Sequence, residues 1–418
     1  MIRQRPRLVA VLVLLLAALA LAPTPAPPAR IVAVGDVHGD LRGLRVILQL
    51  AGVVDAAGNW AGGKTTLVQT GDLIDRGPDS RRVLDYVMGL ERQASQADGR
   101  VIALLGNHEA MNIMGDLRYV TEPEFAAYAD AKSERRRQAA WRRYQNWLKD
   151  HGAVPPAALE TEWMKSHPIG FVEHCEAFDS RGRYGRWLRQ RPAAAKVGDT
   201  LFVHGGISAA VAVLPLERLN ARVAQEFRAF DLAREELEGR DVILPFFDLG
   251  EVVQRATALA NAVLPGPPPA AEREDDALAR VGWPGLSALL KYRAWLIVNR
   301  DGPLWFRGFA EWSDADGAAQ VGGILEKEGV ARVVVGHSTQ HGRIQVRWNG
   351  RVFLIDTGML PGYEPDGRGS ALEIDGAQIT AIYEDGRVPL NRVSPSGTPP
   401  QLSPVRRRPA IRPSVPPS

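Results

Sequence analysis

Gly71-Asp72-Leu73-Ile74-Asp75-Arg76-Gly77 is the stretch on which the reading of this chain turns. The run before it, residues 66–70, reads as a strand, so Asp72 stands at a strand's C-terminal end. A carboxylate there has two oxygens that can bridge two metal ions. Asp75 follows three residues later and can orient an acid or a base by hydrogen bonding. Beside it, Arg76 carries a planar guanidinium fork shaped for phosphate oxygens. One short turn thus offers a metal bridge, an orienting carboxylate and a phosphate grip.

The same layout recurs on either side. Residues 31–34 form an apolar run that stops at GDVHGD (35–40), and residues 41–50 continue with helical spacing at Leu44, Ile47 and Leu48. Residues 101–105 lead into GNHE (106–109). A run apolar on both faces suits a strand covered on both sides. Successive strand-turn-helix units imply parallel strands with right-handed crossovers, which put their polar turns on one edge of a sheet. Asp36, Asp72 and Asn107 therefore belong near one another, with His38 beside Asp36 as a nitrogen donor. Further along, residues 201–203 precede HGG (204–206), 332–335 precede GHS (336–338), and 352–355 precede DTG (356–358). Residues 371–374 and 379–383 read as a closing antiparallel pair. The fold class is α/β.

Two long stretches depart from this pattern and read as helical insertions, at about 117–196 and 209–300, the second broken by a Pro-rich loop at 265–269. The first contains Arg135, Arg136, Arg137, Arg142 and Arg143. These suit a basic lid over an anionic substrate or, more simply, the solvated face of a helix. His151, His167 and His174 lie in the same stretch without ligand-like partners and read as surface or satisfied core residues. Cys175 is the one cysteine, so no intramolecular disulfide is available. It reads as an incidental or buried thiol.

The two ends differ from the body. Arg3, Arg5 and Arg7 precede an apolar run ending in small residues, the layout of a secretory signal over residues 1–22, or else of an uncleaved N-terminal anchor. Residues 393–418 are rich in Pro and Arg and read as a disordered basic tail able to touch an anionic envelope surface. The formal net charge of the 418-residue chain is +3. Setting aside the three N-terminal and four tail arginines leaves −4 for the body, so a generic nucleic-acid-binding face is not indicated. With 45% hydrophobic and 24% charged residues the body can bury a sizeable core. The expected location is outside the cytoplasm, in the periplasm.

Of the 8 histidines, His38, His108, His204 and His337 each fall just after an expected strand, in or beside a Gly-containing turn. GDVHG, GDLIDRG, GNHE, HGG and GHS stand in the order of the phosphoprotein phosphatases of the calcineurin-like metallophosphoesterase superfamily, which the chain resembles. GPLWFRG (302–308) before GHS resembles more specifically the bacterial Shewanella-like branch. The resemblance covers residues 31–382 and implies a single metallophosphatase domain over 30–392, a two-sheet αββα sandwich with the helical insertions.

It also implies two divalent or trivalent metal ions, one on Asp36, His38 and Asp72 and the other on Asp72, Asn107, His204 and His337. Mixed carboxylate, amide and imidazole donors suit manganese, iron or zinc. The implied reaction is in-line attack on phosphorus by a hydroxide formed between the ions. In that scheme His108 protonates the leaving oxygen, Asp75 orients it, and Arg76, Asn107 and Arg307 hold the phosphoryl group. Trp305 and Phe306 read as packing residues, and Asp356 and Thr357 as supports of the site or of the strand end. The implied substrates are phosphoproteins, on Tyr or Ser/Thr. Dinucleoside polyphosphates or other small phosphate esters are the alternative, and a non-catalytic phosphate-binding role is the remaining one.

Overall fold

The computed structural model describes residues 30–263 and 282–390. The signal-like segment, the loop at 265–269 and the basic tail lie outside the described residues.

The first half alternates strands and helices: β1 (Ile31–Val34), α1 (Leu41–Leu50), β2 (Thr66–Gln69), α2 (Ser80–Gln96), β3 (Arg100–Ala103) and α3 (Asn107–Met114). Each strand is short because its Gly-containing turn ends it, and each helix presents one apolar stripe. Helix α1 shows the logic. The Asp40 side chain caps it by accepting from the Gly43 N–H at 2.8 Å, and Leu41, Leu44, Ile47 and Leu48 bury the face that covers the sheet. Each such side chain stabilises the fold by roughly 1.5–3 kcal/mol on burial.

The first insertion follows as α4 (Glu122–Ala126), α5 (Ser133–Asp150), α6 (Leu159–Ser166), α7 (Phe171–Phe178) and α8 (Arg183–Leu188). Strands β4 (Ala194–Val197) and β5 (Thr200–Val203) come next, then the second insertion with α9 (Leu216–Gly239), α10 (Leu249–Val263) and α11 (Pro284–Leu289). The chain closes with α12 (Gly308–Glu311), α13 (Asp314–Glu328), β6 (Arg332–Val335), β7 (Gln345–Arg347), β8 (Val352–Leu354), β9 (Ser370–Asp375), β10 (Gln378–Tyr383) and β11 (Gly386–Pro389).

Two mixed sheets result, ordered β11-β10-β9-β1-β2-β3 and β4-β5-β6-β8-β7. Strands β1, β2 and β3 run parallel, as do β5, β6 and β8. Alternate residues of each strand take opposite faces. Ile31, Ala33, Val68, Ile102, Phe202, Val334, Phe353 and Leu372 meet between the sheets. Val32, Val34, Leu67 and Val101 pack under α1 and α2, and Val203, Val333 and Val335 pack under α13. This is the two-sheet αββα sandwich that the resemblance implies.

Three strands depart from the sequence reading. Ala194–Val197, placed in an insertion by its charged surroundings, pairs antiparallel with β5 as one outer edge, and Gln345–Arg347 and Gly386–Pro389 form two more. Edge strands have one unpaired side and little buried surface, so their apolar pattern is weak. The closing pair β9 and β10 is antiparallel as expected, and β9 also joins β1 antiparallel, extending the first sheet.

Helix α5 settles the basic stretch. Arg136 is paired with Asp130 and Glu173, Arg137 with Glu134, and Arg135, Arg142 and Arg143 are exposed. Trp141, Trp147 and Leu148 bury the opposite face. The solvated-face reading holds. Among the described residues no helix is long and apolar enough to cross a membrane.

Candidate metal centre

The parallel strands bring their polar turns to one edge, and six of these turns converge there. Close approach demands small residues: a Cβ on Gly71 would stand 2.6 Å from the Gly106 backbone nitrogen and 2.8 Å from His204 Nδ1. His38, Asp72, Asp75, Arg76 and His337 all adopt positive φ, between 47° and 70°, a conformation that costs of order 1–3 kcal/mol at each non-glycine residue. Such a concentration of strained residues persists only where surrounding contacts over-determine the backbone.

One of those contacts is Glu109. Its carboxylate accepts from the backbone N–H groups of Asp72, Leu73 and Gly106, each at 2.8 Å, and so ties GDLIDRG to GNHE. Burial, with Asp72 close by, pushes its pKa up to about 7.

Two compact groups of donors share Asp72. The donor atoms of His38, Asp72 and His108 lie within 4.8 Å of one another, as do those of Asp72, His204 and His337. Every one of these residues is buried. The imidazole tautomers follow from their acceptors. His38 Nδ1 donates to the Ile74 carbonyl at 3.0 Å, His204 Nδ1 to the Thr70 carbonyl at 2.9 Å, and His337 Nε2 to the Trp305 carbonyl at 3.2 Å. Each ring is thus held by one nitrogen and leaves the other for the interior, the arrangement usual for histidines that bind metals.

The donor chemistry calls for a cation. His204 Nε2 faces Asn107 Oδ1 at 3.0 Å and Asp72 Oδ2 at 3.3 Å. With Nδ1 directed to Thr70, Nε2 is the nitrogen that meets these two oxygens, and a cation placed among the three satisfies them all. Burial, followed by the neighbouring carboxylates Asp356 and Asp72, raises the Asp36 pKa well above the usual range. For Asp72, burial acts upward, but His204, His108 and His38 outweigh it and hold the pKa well below normal. Burial drives His38 down to about 3 and takes His337 well below its usual value, so both rings are neutral donors. The residues present fit two metal ions.

His108 stands apart from the other three. Its Nδ1 faces a carboxylate, Asp75 Oδ2 at 2.7 Å, and its Nε2 lies 3.4 Å from Arg76 Nη2 and 3.9 Å from Asp72 Oδ2. Burial lowers its pKa, but Asp72 and Asp75 outweigh that and raise it overall. A guanidinium at this distance disfavours a second cation on Nε2. The geometry separates His108 from the donor set even though it sits within ligand range of Asp72.

The remaining expected residues fall as follows. Asp36 is buried, and its oxygens accept from the His337 N–H at 3.1 and 3.2 Å, outside the two compact groups. The guanidinium of Arg76 lies between the rings of Tyr119 and Tyr363, 4.6 and 4.5 Å from their centroids, and makes no ion pair among the described residues. Arg307 donates to the His337 carbonyl at 2.8 Å and to Ser338 Oγ at 3.1 Å, so part of its fork braces the GHS turn. Trp305 and Phe306 pack as expected, the indole donating to the Ile297 carbonyl. Asp356 accepts from Thr339 Oγ1 and the Gly358 N–H, both at 3.0 Å, while Thr357 bonds the Arg368 carbonyl. His151 and His167 donate to the Trp147 and Trp163 carbonyls, but buried His174 leaves Nδ1 without a protein partner. Burial pushes the Cys175 thiol up to about 12, which removes it from nucleophilic chemistry.

The profile of the calcineurin-like phosphoesterases matches residues 29–341. The chain belongs to the calcineurin-like phosphoesterase family. Among its relatives, Shewanella-like protein phosphatase 2 of Arabidopsis thaliana is 35% identical over 209 residues, 47% of this chain and 51% of that protein. The chain thus spans about half the length of that relative. Shewanella-like protein phosphatase 1 of Plasmodium berghei is 23% identical over 335 residues, 79% of this chain and 67% of that protein. The fold matches that of the cold-active protein-tyrosine phosphatase of a psychrophile Shewanella species, with a TM-score of 0.54 at 24% identity, over 87% of this chain and 80% of the other. Family, fold and donor set together make this phosphoesterase metal-dependent.

Four residues around the centre escaped the sequence reading: Glu109, Asn112, Tyr119 and Tyr363. Glu109 is the last letter of GNHE and carried a signal. The other three belong to no motif quoted above.

Proposed function

We propose that this phosphoesterase hydrolyses phosphomonoesters on protein side chains, with phosphotyrosine as the favoured substrate. The observation that carries the reading is the convergence of His108, Asp75 and Arg76 beside the donor set, with His108 Nδ1 2.7 Å from Asp75 and its Nε2 3.4 Å from Arg76.

Asp36, His38 and Asp72 would hold one ion, and Asp72, Asn107, His204 and His337 the other, with manganese, iron or zinc suited to these donors. When bound, such a pair supplies positive charge to the phosphoryl oxygens and makes water a competent nucleophile near neutral pH. The chain's own residues do the rest. Arg76, with Asn107 and Arg307, orients the phosphoryl group. His108 carries a proton on Nε2 and delivers it to the departing oxygen. Asp75 accepts from Nδ1, fixes the ring and favours its charged form, in keeping with the raised pKa of His108. Tyr119 and Tyr363 both lie against Arg76, which puts two aromatic rings beside the phosphate grip for an aryl ester to meet. The Shewanella neighbour, a protein-tyrosine phosphatase, agrees with this choice.

The test is phosphate release by the metal-loaded protein from matched peptides bearing phosphotyrosine, phosphoserine or phosphothreonine, and from a dinucleoside polyphosphate. Preference for the phosphotyrosine peptide is expected. Turnover confined to the dinucleotide would move the protein to small-ester chemistry, and binding without turnover would make it a phosphate-binding protein.

We also read the chain as exported to the periplasm on the strength of residues 1–22. N-terminal sequencing of the mature protein decides between a cleaved signal and a retained anchor.

A further inference from the structure

The Asp75–His108 pair does not stand alone. Asn112 lies one helical turn past His108 on α3 and is buried. Its Nδ2 donates to Asp75 Oδ1 at 2.9 Å and to the His108 carbonyl at 3.0 Å. Both partners are acceptors only, so the amide can take only this orientation; turned over, its oxygen would oppose a carboxylate and a carbonyl. On the other side, Asn112 lines a cavity of about 50 Å³ together with His174, and its Oδ1 has no protein partner. The amide is therefore held by its two donated bonds, and both lead to the pair.

Asp75 has two oxygens with separate tasks. Oδ2 meets His108 Nδ1 and Oδ1 meets Asn112, while the Asp75 backbone N–H donates to Ser80 Oγ at 3.0 Å. A carboxylate held at one oxygen alone can rotate about χ2 and offer the imidazole a misaligned acceptor. Held at both, it is locked in the plane that the ring needs. Because Asn112 also grips the His108 backbone, it fixes the donor and the acceptor of the 2.7 Å bond relative to each other.

We propose that Asn112 is a positioning residue for the leaving-group acid: it fixes the Asp75 carboxylate so that His108 presents its Nε2 proton to the departing ester oxygen. This rests on the reading of His108 as that acid. The hydrogen bonds of Asn112 go to Asp75 and the His108 carbonyl and to none of the metal-ligand side chains, so its removal should weaken proton delivery while leaving phosphoryl binding in place.

The experiment uses the full metal-loaded protein and two esters, phenyl phosphate, whose leaving group needs a proton, and 2,4-dinitrophenyl phosphate, whose leaving group does not. For Asn112→Ala, kcat on phenyl phosphate should fall about tenfold or more, a fraction of a general acid's full contribution. KM and kcat on the dinitrophenyl ester should change less than about twofold, as expected when no proton is needed there. Asn112→Asp, of the same size, sets a carboxylate against Asp75 and should lose more on phenyl phosphate, which keeps the test open should the alanine variant fold poorly. In an Asp75→Asn background, Asn112→Ala should add no further loss, because residues acting as one unit are not additive. Proton NMR provides a readout independent of turnover: the resonance of the proton between His108 and Asp75 should shift or broaden in the alanine variant. Equal losses on both esters, or additivity with Asp75→Asn, would overturn the role of Asn112. His108→Asn is the reference: if its own loss does not depend on the leaving group, the acid reading fails and takes the Asn112 proposal with it. If His108→Asn discriminates between the esters and Asn112→Ala does not, only the Asn112 proposal fails.

Discussion

His108 Nδ1 and Asp75 Oδ2 lie 2.7 Å apart in a pocket where both side chains are buried, although the two residues come from different strand-end turns. The other inward-facing imidazoles of the centre donate to backbone carbonyls; this one faces a carboxylate. A carbonyl only fixes a tautomer, whereas a carboxylate also stabilises the imidazolium. His108→Asn should accordingly lower kcat on phenyl phosphate by roughly a hundredfold to ten-thousandfold. Metal content, measured by elemental analysis of the same preparation, should remain near that of the parent protein.

Asp72 is the donor shared by both compact groups. Asp72→Asn removes the charge that four imidazoles surround, and the amide leaves fewer oxygen lone pairs to share between two ions. The variant should lose most of its bound metal on dialysis and show no measurable turnover. Full activity in this variant would remove Asp72 from its assigned place.

Arg76 is sandwiched by Tyr119 and Tyr363 and has no acidic partner to orient it. Each ring contributes about 0.5–1 kcal/mol at a partly exposed site. Tyr363→Ala should therefore raise KM for a phosphotyrosine peptide about two- to fivefold, with kcat little changed. Arg76→Lys should cost far more, since an ammonium supplies neither the fork nor the flat face that both tyrosines cover. Steady-state kinetics on both variants separates the two effects.

His174 predicts an acid limit to stability. Its ring is packed by Phe125, Tyr128 and Phe178, and burial takes its pKa from 6.5 to about 3. Between those values the unfolded chain binds a proton that the folded chain refuses. Stability is thus unaffected above pH 6.5 and falls progressively as pH drops toward 3. Near pH 4.5 the loss amounts to roughly 2–3 kcal/mol. His174→Phe should unfold at lower pH than the parent, as followed by circular dichroism. An unchanged acid midpoint would contradict the assignment.

Much of the centre was legible because each piece is local. GDVHG, GDLIDRG, GNHE, HGG and GHS each end an apolar run, and a short strand followed by a Gly-containing turn announces where its side chains are delivered. Glu109 was within reach, being part of GNHE, yet its task depends on the Asp72 and Leu73 N–H groups of another turn. Asn112 shows no signal at all. On a helix already rich in buried residues, an asparagine acquires a meaning only when Asp75 is found against it. Tyr119 and Tyr363 come from loops far apart along the chain, and no spacing rule connects them.

The sequence by itself determined the strand-turn-helix units, which follow from periodicity and from glycine's freedom in turns, all readable within a few residues. The donor residues and the shared place of Asp72 came with the resemblance that its motifs carry. Only the tertiary structure decided which nitrogen of each histidine faces inward, that His108 turns to Asp75 while His38, His204 and His337 turn to carbonyls, and that Arg76 lies between two tyrosines. Those are relations between distant segments. They are set by how two sheets pack and bring their turns to one edge, and that packing depends on apolar surface that many sequences could supply.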